Sequence, residues 1–158
     1  METAYRILDE PRASGLAHLV VNPLWPLLAL LFAGPWLALP WFVLNAFALG
    51  SATRLRESLL ALSWVPLLLG LLLLLGLLRR AAGVPDAAMP YLLISVTVLK
   101  LALGYALLTL QQRSFALYEY FGGRVRSGVM VVLVATVVGR AAVLKLFGGA
   151  PVWVLLAG

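Results

Sequence analysis

Long apolar runs separated by short charged punctuation dominate this chain, and neither the period-2 alternation of half-buried strands nor a heptad array stands out from them. From Ala13 to Thr53 no Asp, Glu, Lys or Arg occurs. As one helix that run would be about 60 Å long, roughly twice the hydrocarbon thickness of a bilayer. Pro23, Pro26, Pro35 and Pro40 interrupt it, and Gly34-Pro35 near its middle is the strongest turn signal. Two solutions follow: a helical hairpin or re-entrant pair over about 17–33 and 36–50, or a slanted interfacial helix followed by a single kinked crossing.

Later runs are simpler. Residues 59–78 form an apolar stretch between Arg54, Arg56 and Glu57 on one side and Arg79-Arg80 on the other. Residues 91–110 form another, opened by Met89-Pro90, closed by Gln111-Gln112-Arg113, and carrying Lys100 at its centre. Residues 128–147 form the last, with Arg140 and Lys145 inside it, and the tail 152–158 is too short to cross. The expectation is an all-α, polytopic membrane bundle of about 4–5 segments. Residues 1–15 form a mixed-charge cytoplasmic or interfacial segment, 16–158 a single domain, and 111–127 a polar connector.

Composition supports the class. Of 158 residues, 63% are hydrophobic and 11% charged, against about 45–50% and about 25% in soluble domains. The mean hydropathy is +1.03. Such a surface cannot be covered with polar groups, so the solvent expected around most of it is lipid.

Charge then orients the segments. If the first run is paired, Arg6, Arg12, Arg54, Arg56, Arg113, Arg124 and Arg126 share one side, against Arg79 and Arg80 on the other; a single crossing splits them four against five. Positive loops favour the cytoplasm, so the paired arrangement is preferred, with a cytoplasmic N-terminus and a bacterial inner membrane as the expected location. The net charge of +6 is dispersed between apolar runs, which fits anionic lipid and not nucleic acid.

Candidate chemistry is sparse. With no cysteine and one histidine, His18, no metal site or thiol chemistry is expected, and no cofactor motif occurs. His18 could share a helical face with Asn22, but no nucleophile accompanies it, and Asn45 is read as bonding freed backbone or an adjacent helix. Lys100 costs about 2.5–3.5 kcal/mol at a bilayer centre and lies on a stripe with Thr97, Gly104 and Gln111. With Arg140 it is the candidate for binding an anion or a partner's carboxylate, or, for Lys100, for pairing with Glu57 or Glu119. No acid falls inside a predicted span, which argues against proton or cation conduction.

Gly128, Val132, Ala135, Gly139 and Ala142 fall on one helical face, a small-residue seam for close packing inside the chain or between chains. Arg124 and Arg126, beside Gly122-Gly123, are candidate contacts for a phosphate or lipid headgroup, and Glu119 between tyrosines is the candidate base. Trp25, Trp36, Trp41, Trp64 and Trp153 are expected as interfacial anchors. Taken together, these features predict a non-catalytic accessory or scaffold subunit, embedded in membrane lipids and binding another membrane protein. The alternative is a homo-oligomeric transporter or pore for an anionic or lipid-like solute.

Overall fold

The computed structural model describes residues 15–83, 85, 88–139, 141, 142 and 145. Among the described residues it is helical, without a strand. A 3-10 turn at Ala17–Leu19 leads through an extended Val20–Asn22 into α1 (Leu24–Phe32), α2 (Pro35–Ala48), α3 (Arg54–Leu62), α4 (Trp64–Ala82) and α5 (Met89–Tyr120). The chain ends its described part in α6 (Val129–Val134), which widens into a π-helical turn over Ala135–Gly139.

The first long apolar run folds at Gly34, as its sequence predicts. Gly34 has φ 104°, a backbone conformation that strains any residue with a Cβ. The N–H groups of Ala33 and Gly34 both close on the Ala29 carbonyl, at 2.8 and 2.9 Å, and Pro35 starts the next helix where its missing N–H costs nothing. Trp25 and Trp41 both meet Gly128, and Ala29, Leu30 and Ala38 share one core cluster. The two helices are therefore antiparallel, with Gly34 at the tip. Helical α1 is shorter than the predicted 17–33. Its nine residues reach about 14 Å and the fourteen of α2 about 21 Å.

The second run is broken. In place of one helix over 59–78, the chain makes α3 and α4 with a joint at Ser63. Pro66 cannot donate to Leu62, and its ring crowds that carbonyl, so the axis is interrupted one residue later. The Ser63 hydroxyl turns back to donate to the Leu60 carbonyl at 2.6 Å.

The third run is longer than its apolar part. Polar residues Gln111 to Glu119 do not stop α5, because none of them is a helix breaker. The helix ends at Gly122, φ 76°, where the Gly122 N–H donates to the Glu119 carbonyl and the Gly123 N–H to the Tyr118 carbonyl, a Schellman cap. The connector expected over 111–127 is therefore helical to Tyr120. Its 32 residues span about 48 Å. Within it, Ile94–Tyr120 is long and apolar enough to cross a bilayer, the one such helix among the described residues.

Packing fixes directions. A Cβ on Gly104 would strike Leu30, while Leu107 packs in one cluster with Phe42, and Phe115 with Ala48 and Leu49. Helix α5 thus runs parallel to α2. Gly128 lies under Trp25 and Trp41 at the open end of the hairpin, and Gly139 lies against Trp36 near its tip. The small-residue seam of the last helix is therefore spent inside the chain: Gly128, Val132 and Ala135 are buried, Gly139 is half-buried and Ala142 is exposed. Trp64 is not an anchor. It is buried beside Leu68 and Val96, while Trp25, Trp36 and Trp41 are half-buried against the last helix. Trp153, Arg140 and the N-terminal segment 1–14 lie outside the described residues.

Replacing Gly128 by alanine tests this packing, because the new methyl has no room between Trp25 and Trp41. The expected loss in thermal unfolding is about 1–3 kcal/mol. Gly76→Ala in α4, which meets nothing within 4 Å, is expected to be neutral or stabilising by up to about 1 kcal/mol. Equal effects at the two positions would refute the packing.

Candidate functional site

The buried face of α5 reads Val96, Lys100, Gly104, Leu107, Gln111 and Phe115, steps of four and three residues. Thr97, expected on this stripe, is exposed. Lys100 is 5% exposed, a long cation drawn into the bundle near the level of the hairpin tip, one turn before the Gly104 contact with Leu30.

Two turns beyond Gly104, Gln111 meets Asn45. The Asn45 amide donates to Gln111 Oε1 at 3.1 Å, and Gln111 Nε2 donates to the Phe42 carbonyl at 2.6 Å. Asn45 Oδ1 accepts from the Val21 N–H at 3.0 Å, and the Val20 carbonyl accepts from the Arg126 N–H at 2.8 Å. One buried amide pair therefore joins α2, α5 and the extended entry segment, and that segment holds the loop after α5. Asn45 bonds an adjacent helix, as the sequence suggests; the backbone group that donates to its Oδ1 is the Val21 N–H, not backbone freed by Pro40.

The open end of the hairpin carries the arginines. Arg113 lines a cleft with Ser51 and Thr53, Arg54 and Arg56 begin α3, and Arg124 and Arg126 are exposed in the loop. The Arg54 guanidinium lies 5.5 Å from the Phe47 ring centre, a cation–π contact across the α2–α3 turn. Tyr118 donates to the Ala17 carbonyl at 3.2 Å and approaches the Arg124 carbonyl at 3.4 Å. Arg124 and Arg126 thus stand at the same end as Arg113. Lys100 does not: it precedes Ser114 by 14 residues, about 21 Å along α5.

No acid falls inside a predicted span, yet Glu57, just outside one, is drawn into the bundle at a place away from Lys100. Only 1% of Glu57 is exposed. Ser51 and Thr53 donate to its Oε1 at 2.6 and 2.7 Å, and Ser114 donates to Ser51 Oγ at 3.1 Å. Glu57 Oε2 is buried with no hydrogen-bond partner among the described residues. In front of these hydroxyls lies a cleft of about 390 Å³ between the α2–α3 turn and α5, lined also by Leu49, Leu110 and Leu117. The clue in the sequence is the run Ser51-Ala-Thr-Arg-Leu-Arg-Glu57: a hydroxyl at the helix start and an acid one turn on share a face. Its charges make it resemble a solvated loop, which is why it escapes notice.

Other candidates are dispersed. His18 is exposed, with Nδ1 3.1 Å from the Gly15 carbonyl, and Asn22 is held by the Leu24 N–H at 2.9 Å, so the two share no helical face. Glu119 is exposed. No metal-holding group of His, Cys, Asp and Glu occurs among the described residues. No known protein family, characterised protein or solved structure matches this chain.

Asn45→Ala leaves the Val21 N–H and Gln111 Oε1 without partners, and Gln111→Ala removes the acceptor of the Asn45 amide and the side-chain bond to the Phe42 carbonyl. Each is expected to cost about 1–3 kcal/mol in detergent unfolding. The double variant should fall well short of their sum, because both remove one interaction. Additive losses would show that the two amides act separately.

Proposed function

We propose that this chain is a multi-pass membrane protein acting as a non-catalytic accessory or scaffold subunit for a partner membrane protein. Support for the membrane part comes from the outside of the molecule. Leu55, Leu59 and Leu62 on α3, Leu73 and Leu77 on α4, Ile94 and Val98 on α5, Met130 on α6 and Val137 on the π-helical turn after it are exposed large apolar side chains. So much apolar surface around a polar centre suits lipid and neighbouring helices, not water. With the arginine-rich end at the cytoplasmic face of a bacterial inner membrane, the short hairpin enters the bilayer and returns without crossing. Its α1 covers about half the hydrocarbon thickness.

One observation carries the partner reading. An apolar groove of about 530 Å³ runs between α2 and the α3–α4 joint, lined by Leu39, Pro40, Val43, Ala61 and Trp64. The Trp64 indole N–H is buried without an acceptor among the described residues. A polar donor left unmade in an apolar site costs about 1–3 kcal/mol, so a partner helix that fills the groove, draws the Trp64 ring toward it and offers a carbonyl or hydroxyl would recover it. A second reading, a homo-oligomeric transporter or pore for an anionic or lipid-like solute, is favoured by the cleft beside Arg113.

Gentle detergent extraction, native mass measurement and mass spectrometry of what co-purifies test the choice. The expected result is a stoichiometric membrane partner that is lost, with the chain still folded, in Trp64→Phe, which keeps an aromatic ring and removes the N–H along with part of the indole's volume. A homo-oligomer with no partner sinks the subunit reading and favours transport. Release of the chain by alkaline carbonate overturns the membrane placement itself. Topology has its own check: Phe32→Cys, exposed at the hairpin tip of this cysteine-free chain, should resist polar thiol reagents from both sides. Ready labelling from outside would establish two full crossings.

A further inference from the structure

The hydroxyl protons around the Glu57 cleft are all committed. Ser51 and Thr53 give theirs to Glu57, Ser114 gives its own to Ser51, and Thr109 gives its own to the Ala106 carbonyl at 2.8 Å. A hydroxyl whose proton is spent presents only lone pairs. Ser51 Oγ is already saturated, because it also accepts from the Thr53 N–H at 3.2 Å. What Thr53, Ser114 and Thr109 show the cleft is therefore an acceptor surface, with the Glu57 carboxylate behind it. The remaining side-chain donor on the cleft wall is Arg113, an exposed guanidinium that has donors and no acceptor.

These two walls ask for opposite things. A simple anion would satisfy Arg113 but face the negative potential of Glu57, and a simple cation would meet the reverse conflict. A ligand with an N–H-bearing ammonium a few ångströms from an anionic oxygen satisfies both. We propose that the cleft between the α2–α3 turn and α5 binds a zwitterion of this kind. Its ammonium faces Thr53 and Ser114 before Glu57, and its anionic group meets Arg113.

A phosphoethanolamine lipid headgroup is the source that fits best. Leu49, Leu110 and Leu117 continue the same cleft as apolar surface, where acyl chains can follow the headgroup, and the arginines of this end lie at headgroup level in the proposed placement. That assignment of source rests on the membrane reading, whereas the zwitterion chemistry does not.

The test compares two zwitterionic lipids that differ in N–H donors with an anionic lipid that has no ammonium. The purified protein is reconstituted in nanodiscs holding equal parts of phosphatidylethanolamine, phosphatidylcholine and phosphatidylglycerol, and the lipids retained on gentle release are counted by native mass spectrometry. Phosphatidylethanolamine is expected to be retained several-fold over phosphatidylcholine, whose quaternary ammonium has no N–H to give the acceptor wall. It should also exceed phosphatidylglycerol, which has no ammonium. Arg113→Gln, on an exposed residue, and Glu57→Gln, which keeps the volume and removes the charge, should each abolish the preference.

Free phosphoethanolamine added to the detergent-solubilised protein separates the sources. Stabilisation by it without any lipid preference supports a soluble zwitterion and removes the lipid assignment. Equal retention of the three lipids with no effect of free phosphoethanolamine overturns the site. Retention of phosphatidylglycerol alone also overturns it, leaving a plain arginine collar. Carbonate release of the chain would fail the membrane reading while leaving the free-ligand arm intact.

Discussion

The buried amide pair Asn45–Gln111 sets the arrangement on which the rest depends. In a chain that is 63% hydrophobic, apolar contact alone discriminates poorly among ways of stacking one leucine-rich helix on another. Hydrogen bonds discriminate, because a side-chain amide meets its partner at one register and strands it at the next. The net gain per bond is modest, about 0.5–1.5 kcal/mol. The penalty for stranding the groups is larger, about 1–3 kcal/mol for each. The pair therefore acts less as glue than as a register pin. It also reaches beyond the two helices, since Asn45 holds Val21 and the neighbouring Val20 holds Arg126.

The cleft inherits this register. Ser114 follows Gln111 by three residues, and its bond to Ser51 depends on α5 standing where the amide pair puts it. A slip of one turn moves Ser114 by about 5.4 Å, farther than any hydrogen bond can stretch. The α2–α3 turn is fixed independently from below. Gly50, φ 64°, closes a second Schellman cap, in which the Ser51 N–H donates to the Ala46 carbonyl at 3.1 Å. One backbone cap and one side-chain pair thus bring Ser51, Thr53, Glu57 and Ser114 together.

How much of this is legible in the sequence depends on which force decides each feature. Gly34-Pro35 is readable because the turn is local chemistry, and Asn45 is readable as a polar residue in need of a neighbour. Boundaries set by Pro66 and Gly122 are local too, yet charge at Gln111–Arg113 and at Arg54–Glu57 masks them, since charge marks where apolar surface ends and not where a helix does. The burial of Glu57 and of Trp64 is invisible for a different reason. Both depend on α3 folding back along α2, a tertiary event that no single segment encodes. The small-residue seam of the last helix is legible as a packing face, but its partner, the tryptophan face of the hairpin, comes from residues roughly a hundred positions earlier.

Glu57 and Lys100 carry the remaining argument. Among the described residues one acid and one base are buried, and pairing them with each other would offset part of the cost of burying charge. This fold keeps them apart. Glu57 stands with Ser114 near the C-terminal part of α5, and Lys100 lies about 21 Å back along the same helix. Hydroxyl donors stabilise one carboxylate oxygen and leave the other without a partner among the described residues. A carboxylate placed for stability alone would be better served by Arg113, which lines the adjoining cleft on the neighbouring helix. Holding Glu57 and Arg113 on separate walls, with space between them, costs attraction that a direct ion pair would gain. That space is intelligible as a gap to be bridged by a molecule that brings both charges with it.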